Sequence, residues 1–149
     1  MTGRRLRLAI DVGGTFTDVM LADLSDLRLR QAGECGIERT VNPGRDDLEE
    51  AVEQWTDGAG ARIGVEAIGI SEVIAQTVMC TARHGEVILL GSPRAPATFD
   101  VTPMLLRIHL EAIRVIGSLE WRWPQHATER SRDLDANYRQ IAEWITAGV

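Results

Sequence analysis

Lysine is absent from this chain of 149 residues, so its 16 Lys and Arg positions are all arginines. That absence excludes a P-loop lysine, a Schiff-base lysine and a lysine general base. Cysteine is scarce: Cys35 and Cys80 lie far apart in the chain and belong to no recognisable pair motif. A zinc site built from thiolates is therefore excluded, and we expect both cysteines to pack as small apolar residues in a reducing compartment.

Long apolar runs are also absent, since no stretch approaches the roughly 18 to 20 residues that a membrane span needs. Basic residues precede the first apolar stretch, but no small-residue cleavage site follows it, so we expect neither a membrane segment nor a signal peptide. The formal net charge of −6 disfavours a nucleic-acid backbone as the partner. With 44% hydrophobic and 26% charged residues, the composition predicts a soluble, cytoplasmic globular protein.

Short β-rich runs alternate with amphipathic stretches along the chain. Strands are predicted at 6–12, 18–23, 39–42, 62–69, 86–92 and 113–121, and helices at 25–36, 45–60, 71–83, 101–112 and 129–148. From about residue 18 each strand feeds a helix, which is typical of a doubly wound parallel sheet with right-handed crossovers. We therefore predict an α/β fold over residues 1–149 as a single domain, a truncated Rossmann-like parallel sheet with an N-terminal β-hairpin.

Four segments carry a resemblance to a known family: "ADLSDLRLRQAGECGIERTVNP", "DDLEEAVEQWTDGAGARIGVEAIG", "GEVILLGSPR" and "LLRIHLEAIRVIGSLEWRWP". In order and spacing they resemble the nucleotide-binding half of zinc-type medium-chain alcohol dehydrogenases, over about residues 19–124. The resemblance implies an oxidoreductase ancestry and makes residues 19–149 a truncated dinucleotide-binding domain that binds NAD(H).

A strand-end acid is the strongest candidate for cofactor contact. Asp23 closes a strand, where a carboxylate can accept hydrogen bonds from an adenosine ribose diol and disfavours a 2′-phosphate. The resemblance places Arg28 near the same ribose, although its charge equally suits a 2′-phosphate or a solvated helix surface. By resemblance, the backbone around two strand ends lines the adenosine and nicotinamide ribose sides: Ile68, Gly69 and Ile70, and Leu90, Gly91 and Ser92. Asp23 as an ordinary strand-end acid, and Gly69 and Gly91 as plain turn residues, are the alternatives.

Two parts of such an enzyme are missing. Gly13 precedes Asp23 by only ten residues, too few for the GxGxxG loop, crossover helix and second strand that normally hold the pyrophosphate. The 18 residues before residue 19 are too few to supply the family's zinc-binding domain, and His84, His109 and His126 are scattered. We therefore assign no catalytic or metal-ligating residue, expect no zinc in this chain, and expect weak NAD binding without independent catalysis.

The opening stretch "LRLAIDVGGTFTDVMLAD", residues 6–23, resembles the N-terminal strand–turn–strand of the hydantoinase A/5-oxoprolinase family, whose fold binds ATP. Residues 1–22 would then be a hydantoinase-like hairpin start, with "LRLAIDV" as a hairpin arm at a sheet edge. The resemblance implies phosphate or metal contacts at Asp11, Gly13, Gly14, Thr15, Thr17 and Asp18. An ATP-dependent fragment is thus one alternative function.

A non-catalytic dimerisation module is the other alternative. The predicted strand at 113–121 starts at Ile113 and ends at Trp121. It resembles the strand through which the dehydrogenase family pairs its subunits edge to edge, which implies a homodimer.

Overall fold

The structure is a computed structural model and describes residues 8–12, 18–118 and 127–147. The chain divides into two compact units, one ending at Gly117 and the other starting at Ser118. The first unit contains strands β1 (Leu8–Val12), β2 (Asp18–Ala22), β3 (Arg39–Val41), β4 (Ala61–Glu66), β5 (Thr81–Leu89) and β6 (Arg114–Gly117). Its helices are α1 (Asp26–Glu34), α2 (Leu48–Trp55), α3 (Ser71–Met79) and α4 (Thr102–Glu111), and the second unit holds α5 (Ala127–Ala147).

All eleven predicted elements are present, and the α/β prediction is confirmed. The six strands form one sheet in the order β3-β2-β1-β4-β5-β6. The pairs β2–β3, β4–β5 and β5–β6 are parallel, whereas β1 runs antiparallel to both of its neighbours, β2 and β4. The sheet is therefore a parallel, Rossmann-like sheet with one reversed strand inside it.

The antiparallel pairing of β1 with β2 confirms the predicted hairpin, but the expected place of its first arm at a sheet edge is wrong. Leu8 pairs with Ala22 on one side and with Glu66 on the other. An edge position for β1 would leave one of its rows of backbone N–H and C=O groups unpaired. In the middle of the sheet both rows are used, and β1 joins β2 to β4.

The core lies between the sheet and the helices α2, α3 and α4. One buried cluster joins Met20 of β2 to Leu48 and Val52 of α2. A second joins Val87 of β5 to Val78 of α3, with α4 packed against it. Met20 and Val87 reach the same face of the sheet through the registered pairs across β1 and β4, so these three helices cover one face.

Strand β5 begins at Thr81, five residues before its predicted start at 86. The Thr81 hydroxyl donates to the Thr77 carbonyl at 2.7 Å. This side-chain hydrogen bond spans four residues, as the backbone hydrogen bonds of the preceding helix α3 do. Further along, His84 has a φ of 60°, and the register of β4 with β5 shifts between Ala61 and Ile63. The strand was predicted from the apolar run "EVILLGS", and the irregular part of β5 precedes that run.

The two cysteines are in different environments. Cys80 is buried, as expected, and burial raises the pKa of its thiol to about 12. Cys35 is exposed, so the expectation that it packs as a small apolar residue is wrong. It follows the last residue of α1 as the C-cap, and the buried residues of that helix are Leu29 and Ala32. Among the helices that the structure describes, none combines the length and apolar character that crossing a membrane requires.

Candidate functional site

The five parallel strands end at the same edge of the sheet, which is where ligands of open α/β sheets bind. Asp23 follows β2, Asn42 follows β3, and the loops 67–70 and 90–92 follow β4 and β5. We call this the carboxyl edge. Seven of the eight predicted cofactor-binding residues lie in these strand-end segments, and the eighth, Arg28, lies in α1.

Residues 13–17, which include Gly13 and Gly14, connect β1 to β2 between strand ends at the edge of the sheet opposite the carboxyl edge. Because β1 is reversed, its last residue, Val12, pairs with Asp18, the first residue of β2. The predicted phosphate contacts Gly13, Gly14, Thr15 and Thr17 lie outside the described residues. These residues connect Val12 to Asp18. Both therefore lie at the other end of the strands, one strand length away from the carboxyl edge.

Asp23 is fully buried and holds Arg28 in a bidentate ion pair. Its Oδ1 accepts from Nη2 of Arg28 at 2.5 Å and from the Ser25 amide at 2.7 Å, and its Oδ2 accepts from Nε of Arg28 at 2.6 Å. The Arg28 side chain is about a quarter exposed, and hydrogen bonding to Asp23 raises the pKa of its guanidinium. The two residues predicted near the ribose thus contact each other, and their role toward a ribose stays a prediction.

A buried amide next to this pair is a residue that the sequence analysis missed. Asn42 donates from Nδ2 to Asp26 at 2.8 Å and to the Leu24 carbonyl at 3.3 Å, and its Oδ1 accepts from the Gly44 amide at 3.0 Å. Hydrogen bonds from Asn42 and Arg45 lower the pKa of Asp26. Asn42 thereby fixes the segments after β2 and β3 to each other. Its only sequence signal was a polar residue at a strand end before a proline.

Glu66, the last residue of β4, was also missed. It is fully buried, and its Oε1 accepts from the amides of Ile68 and Gly69, both at 2.8 Å. Its backbone carbonyl accepts from the amides of Leu90 and Gly91, again at 2.8 Å each. One residue therefore holds both predicted cofactor loops, the first with its side chain and the second with its backbone.

The two loops approach each other so closely that glycine is required in both. A Cβ on Gly69 would lie 2.1 Å from the Ser92 carbonyl oxygen, and a Cβ on Gly91 would lie 2.1 Å from the Gly69 nitrogen. Gly69 also has a φ of +79°, whereas Gly91 is not in the left-handed region. Gly69 is thus a turn residue and a contact residue, while Gly91 is required for the contact alone.

A cavity of about 280 Å³ opens at this point of the carboxyl edge. Its walls are Ile68, Gly69, Ile70, Ser71 and Glu72 on one side and Arg94, Ala95 and Pro96 on the other. The structure therefore places the predicted cofactor-binding residues 68–70 opposite residues 94–96 across one cavity. It also brings Asp23 together with Arg28, as a separate group.

The two groups are separated by one strand. Leu8 of β1 pairs with Ala22 and with Glu66, so the β2 end and the β4 end lie two strand spacings apart, about 10 Å. Within the described part of the chain, no group of three His, Cys, Asp or Glu residues is arranged to hold a metal ion.

Comparison with known proteins shows a match to the family described as "Zinc-binding dehydrogenase" over residues 6–134. The L-threonine 3-dehydrogenase of Symbiobacterium thermophilum is 30% identical over 139 residues, which is 88% of this chain and 39% of that protein. The chain therefore spans about two fifths of the length of this relative.

Solved structures give the same fold. Benzyl alcohol dehydrogenase from Acinetobacter calcoaceticus matches with a TM-score of 0.62 and 24% identity, over 81% of this chain and 32% of that one. A putative zinc-binding dehydrogenase from Sinorhizobium meliloti, whose structure has NADP bound, matches with a TM-score of 0.56 and 24% identity, over 67% of this chain and 29% of that one.

Proposed function

Because this chain belongs to the zinc-binding dehydrogenase family, we propose that its carboxyl edge binds the adenosine side of a nicotinamide dinucleotide. The observation that carries the proposal is the cavity between the loops after β4 and β5, which contains the residues 68–70 assigned to this role from sequence. A cavity at a strand-end edge of an open α/β sheet is the usual position of a nucleotide. The binding residues are Asp23, Arg28, Ile68, Gly69, Ile70, Leu90, Gly91 and Ser92.

NAD(H) is the preferred form of the cofactor in this proposal. A carboxylate at the end of β2 repels a 2′-phosphate, and Arg28 already donates to both oxygens of that carboxylate. Its positive charge is therefore compensated within the protein and offers little to a phosphate. The Sinorhizobium protein binds NADP, so the preference of this chain has to be measured directly.

Affinity is expected to be weak, and hydride transfer to require groups beyond those that the described residues offer. The described residues offer no metal cluster, and β1 runs antiparallel to β2 where a dinucleotide fold normally has parallel strands joined by the pyrophosphate-binding helix. Without that helix N-terminus, we expect a binding free energy of at most about −4 to −5.5 kcal/mol, that is, a dissociation constant of about 0.1 to 1 mM. The ATP-dependent alternative is not favoured, since the family match extends from residue 6.

The test is a set of parallel titrations of the chain with NADH, NADPH and ATP, followed by NADH fluorescence and by thermal shift. We expect saturable NADH binding in the range of about 0.1 to 1 mM and weaker binding of NADPH and ATP. ADP-ribose should compete with NADH, because the adenosine side carries the contacts. ATP binding tighter than NADH binding would contradict the proposal, and so would binding of neither.

A homodimer is a second candidate property, favoured by the exposed end of the sheet. Strand β6 is the last strand of the sheet, and among the described strands none covers its outer edge. Val115 on β6 is 41% exposed, and three leucines of the neighbouring α4, Leu105, Leu106 and Leu110, are each more than half exposed. Edge pairing of two copies would cover this apolar surface.

We expect the wild-type chain to sediment as a dimer and Val115→Lys to sediment as a monomer, because a charge would enter the paired edge. Leu27→Lys is the matched control, since Leu27 on α1 is also exposed and lies away from β6. It should leave the dimer intact. A monomeric wild-type chain, or a Val115→Lys variant that stays dimeric, rejects this interface.

A further inference from the structure

A buried carboxylate stands at the end of strand β4. Glu66 is fully buried, and its side-chain partners within the described part of the chain are all backbone amides. Burying such a group is unfavourable unless its oxygens accept good hydrogen bonds. Here the Gly69 amide lies 2.8 Å from one oxygen and 3.1 Å from the other.

These hydrogen bonds connect Glu66 to the wall of the cavity. Ile68 and Gly69, whose amides bind the carboxylate, line the cavity themselves. The neighbouring loop is held by the Glu66 carbonyl, through the amides of Leu90 and Gly91. Because Gly69 and Gly91 leave no room for even a Cβ between the loops, the first loop cannot move toward the second without displacing it.

We infer that Glu66 is a positioning residue, one that sets the loops after β4 and β5 against each other and so defines the shape of the adenosine-side pocket. The inference rests on the proposed function for the identity of the ligand, and on the hydrogen bonds alone for the positioning. A residue that merely stabilised β4 would act on the whole unit, whereas a positioning residue acts on these two loops.

Amide hydrogen exchange in the full chain separates these two roles. In Glu66→Ala, the amides of Ile68 and Gly69 should exchange about tenfold faster or more, because they lose a charged acceptor. Leu90 and Gly91 keep their own acceptor, the Glu66 carbonyl, and should nevertheless exchange faster. Val52→Ala is the control, since Val52 is buried in the cluster around α2 and its loss lowers stability without touching either loop.

The inference is overturned if Leu90 and Gly91 exchange at the same rate in Glu66→Ala as in Val52→Ala. Glu66→Gln covers the case in which Glu66→Ala does not fold. It keeps a carbonyl oxygen within reach of Ile68 and Gly69, so exchange should stay near the wild-type rate while the Gly69 amide proton resonance moves upfield with the loss of the charged acceptor. An unmoved Gly69 resonance would also overturn it.

NADH titration of the same variants then tests the ligand. The dissociation constant should rise about tenfold in Glu66→Ala relative to Val52→Ala, with most of the affinity retained in Glu66→Gln. If the wild-type chain binds no NADH, the proposed function fails, while the exchange at Leu90 and Gly91 still decides the positioning role. If NADH binds equally to all variants, the positioning role in binding is wrong and the proposed function stands.

Discussion

Gly91→Ala should lower the free energy of unfolding by about 3 kcal/mol, at the upper end of what one added methyl group costs in a packed interior. The new Cβ would lie 2.1 Å from the Gly69 nitrogen and 2.5 Å from two backbone atoms of Ile68. Both neighbours are backbone, which cannot rotate away as a side chain can. The two loops must therefore separate, and NADH binding should be lost together with stability.

Urea unfolding followed by circular dichroism measures the effect, with the NADH titration run on the same samples. Gly33→Ala is the matched control, because nothing lies within 4 Å of the position of its Cβ, in the helix α1. That variant should be as stable as the wild type or more stable by up to about 1 kcal/mol. A Gly91→Ala variant that unfolds at the wild-type midpoint would show that the loops are not in contact.

Asp23→Ala should cost about 3 kcal/mol of stability and weaken NADH binding about tenfold. The stability loss follows because a buried carboxylate with three hydrogen bonds disappears and leaves Arg28 and the Ser25 amide without their acceptor. The affinity loss follows if the ribose diol binds the same carboxylate in exchange for part of its contact with Arg28.

Asp26→Ala is the matched control, since it removes the same charge three residues later from a side chain that is about half exposed. It should destabilise less and leave the NADH dissociation constant near its wild-type value. Arg28→Met separates the loss of stability from the loss of NADH affinity. It removes the ion pair but leaves the Asp23 carboxylate free to bind the ribose. NADH binding that survives Asp23→Ala unchanged would overturn the ribose assignment and leave Asp23 as the structural partner of Arg28.

The elements were predictable because each carries a local signal in the sequence. The acidic residues Asp46, Asp47, Glu49 and Glu50 favour the positive end of a helix dipole at the start of α2, where the Asp47 side chain accepts from the Glu50 amide at 2.9 Å. The parallel pairing of β2 with β3, of β4 with β5 and of β5 with β6 followed from the strict alternation of strands and helices. The place of β1 did not, because a hairpin fixes only the neighbour on one side.

The candidate site was predictable in its backbone positions and not in its polar contacts. Strand ends can be located from sequence, and 68–70 and 90–92 were placed there, although β4 ends already at Glu66 and β5 at Leu89. The partners of Glu66 are amides of residues only two and three positions later, a contact that depends on the φ of Gly69 and so on the folded loop. Likewise, Asp23 and Arg28 stand five positions apart, and their bidentate geometry exists only once α1 begins at Asp26.

The reversed strand also determines the order in which this sheet can fold. Strand β1 pairs with β2 across a short hairpin, but its other partner, β4, lies beyond β3 and two helices in the chain. The half-sheet β3-β2 and the half-sheet β4-β5-β6 share no strand pair, so they become one sheet only when β1 closes the gap. Because closing a long loop costs more entropy than closing a hairpin, we expect the joining of β1 to β4 to be the slow, non-local step of folding, which pulse-labelling hydrogen exchange would detect as late protection of the β4 amides.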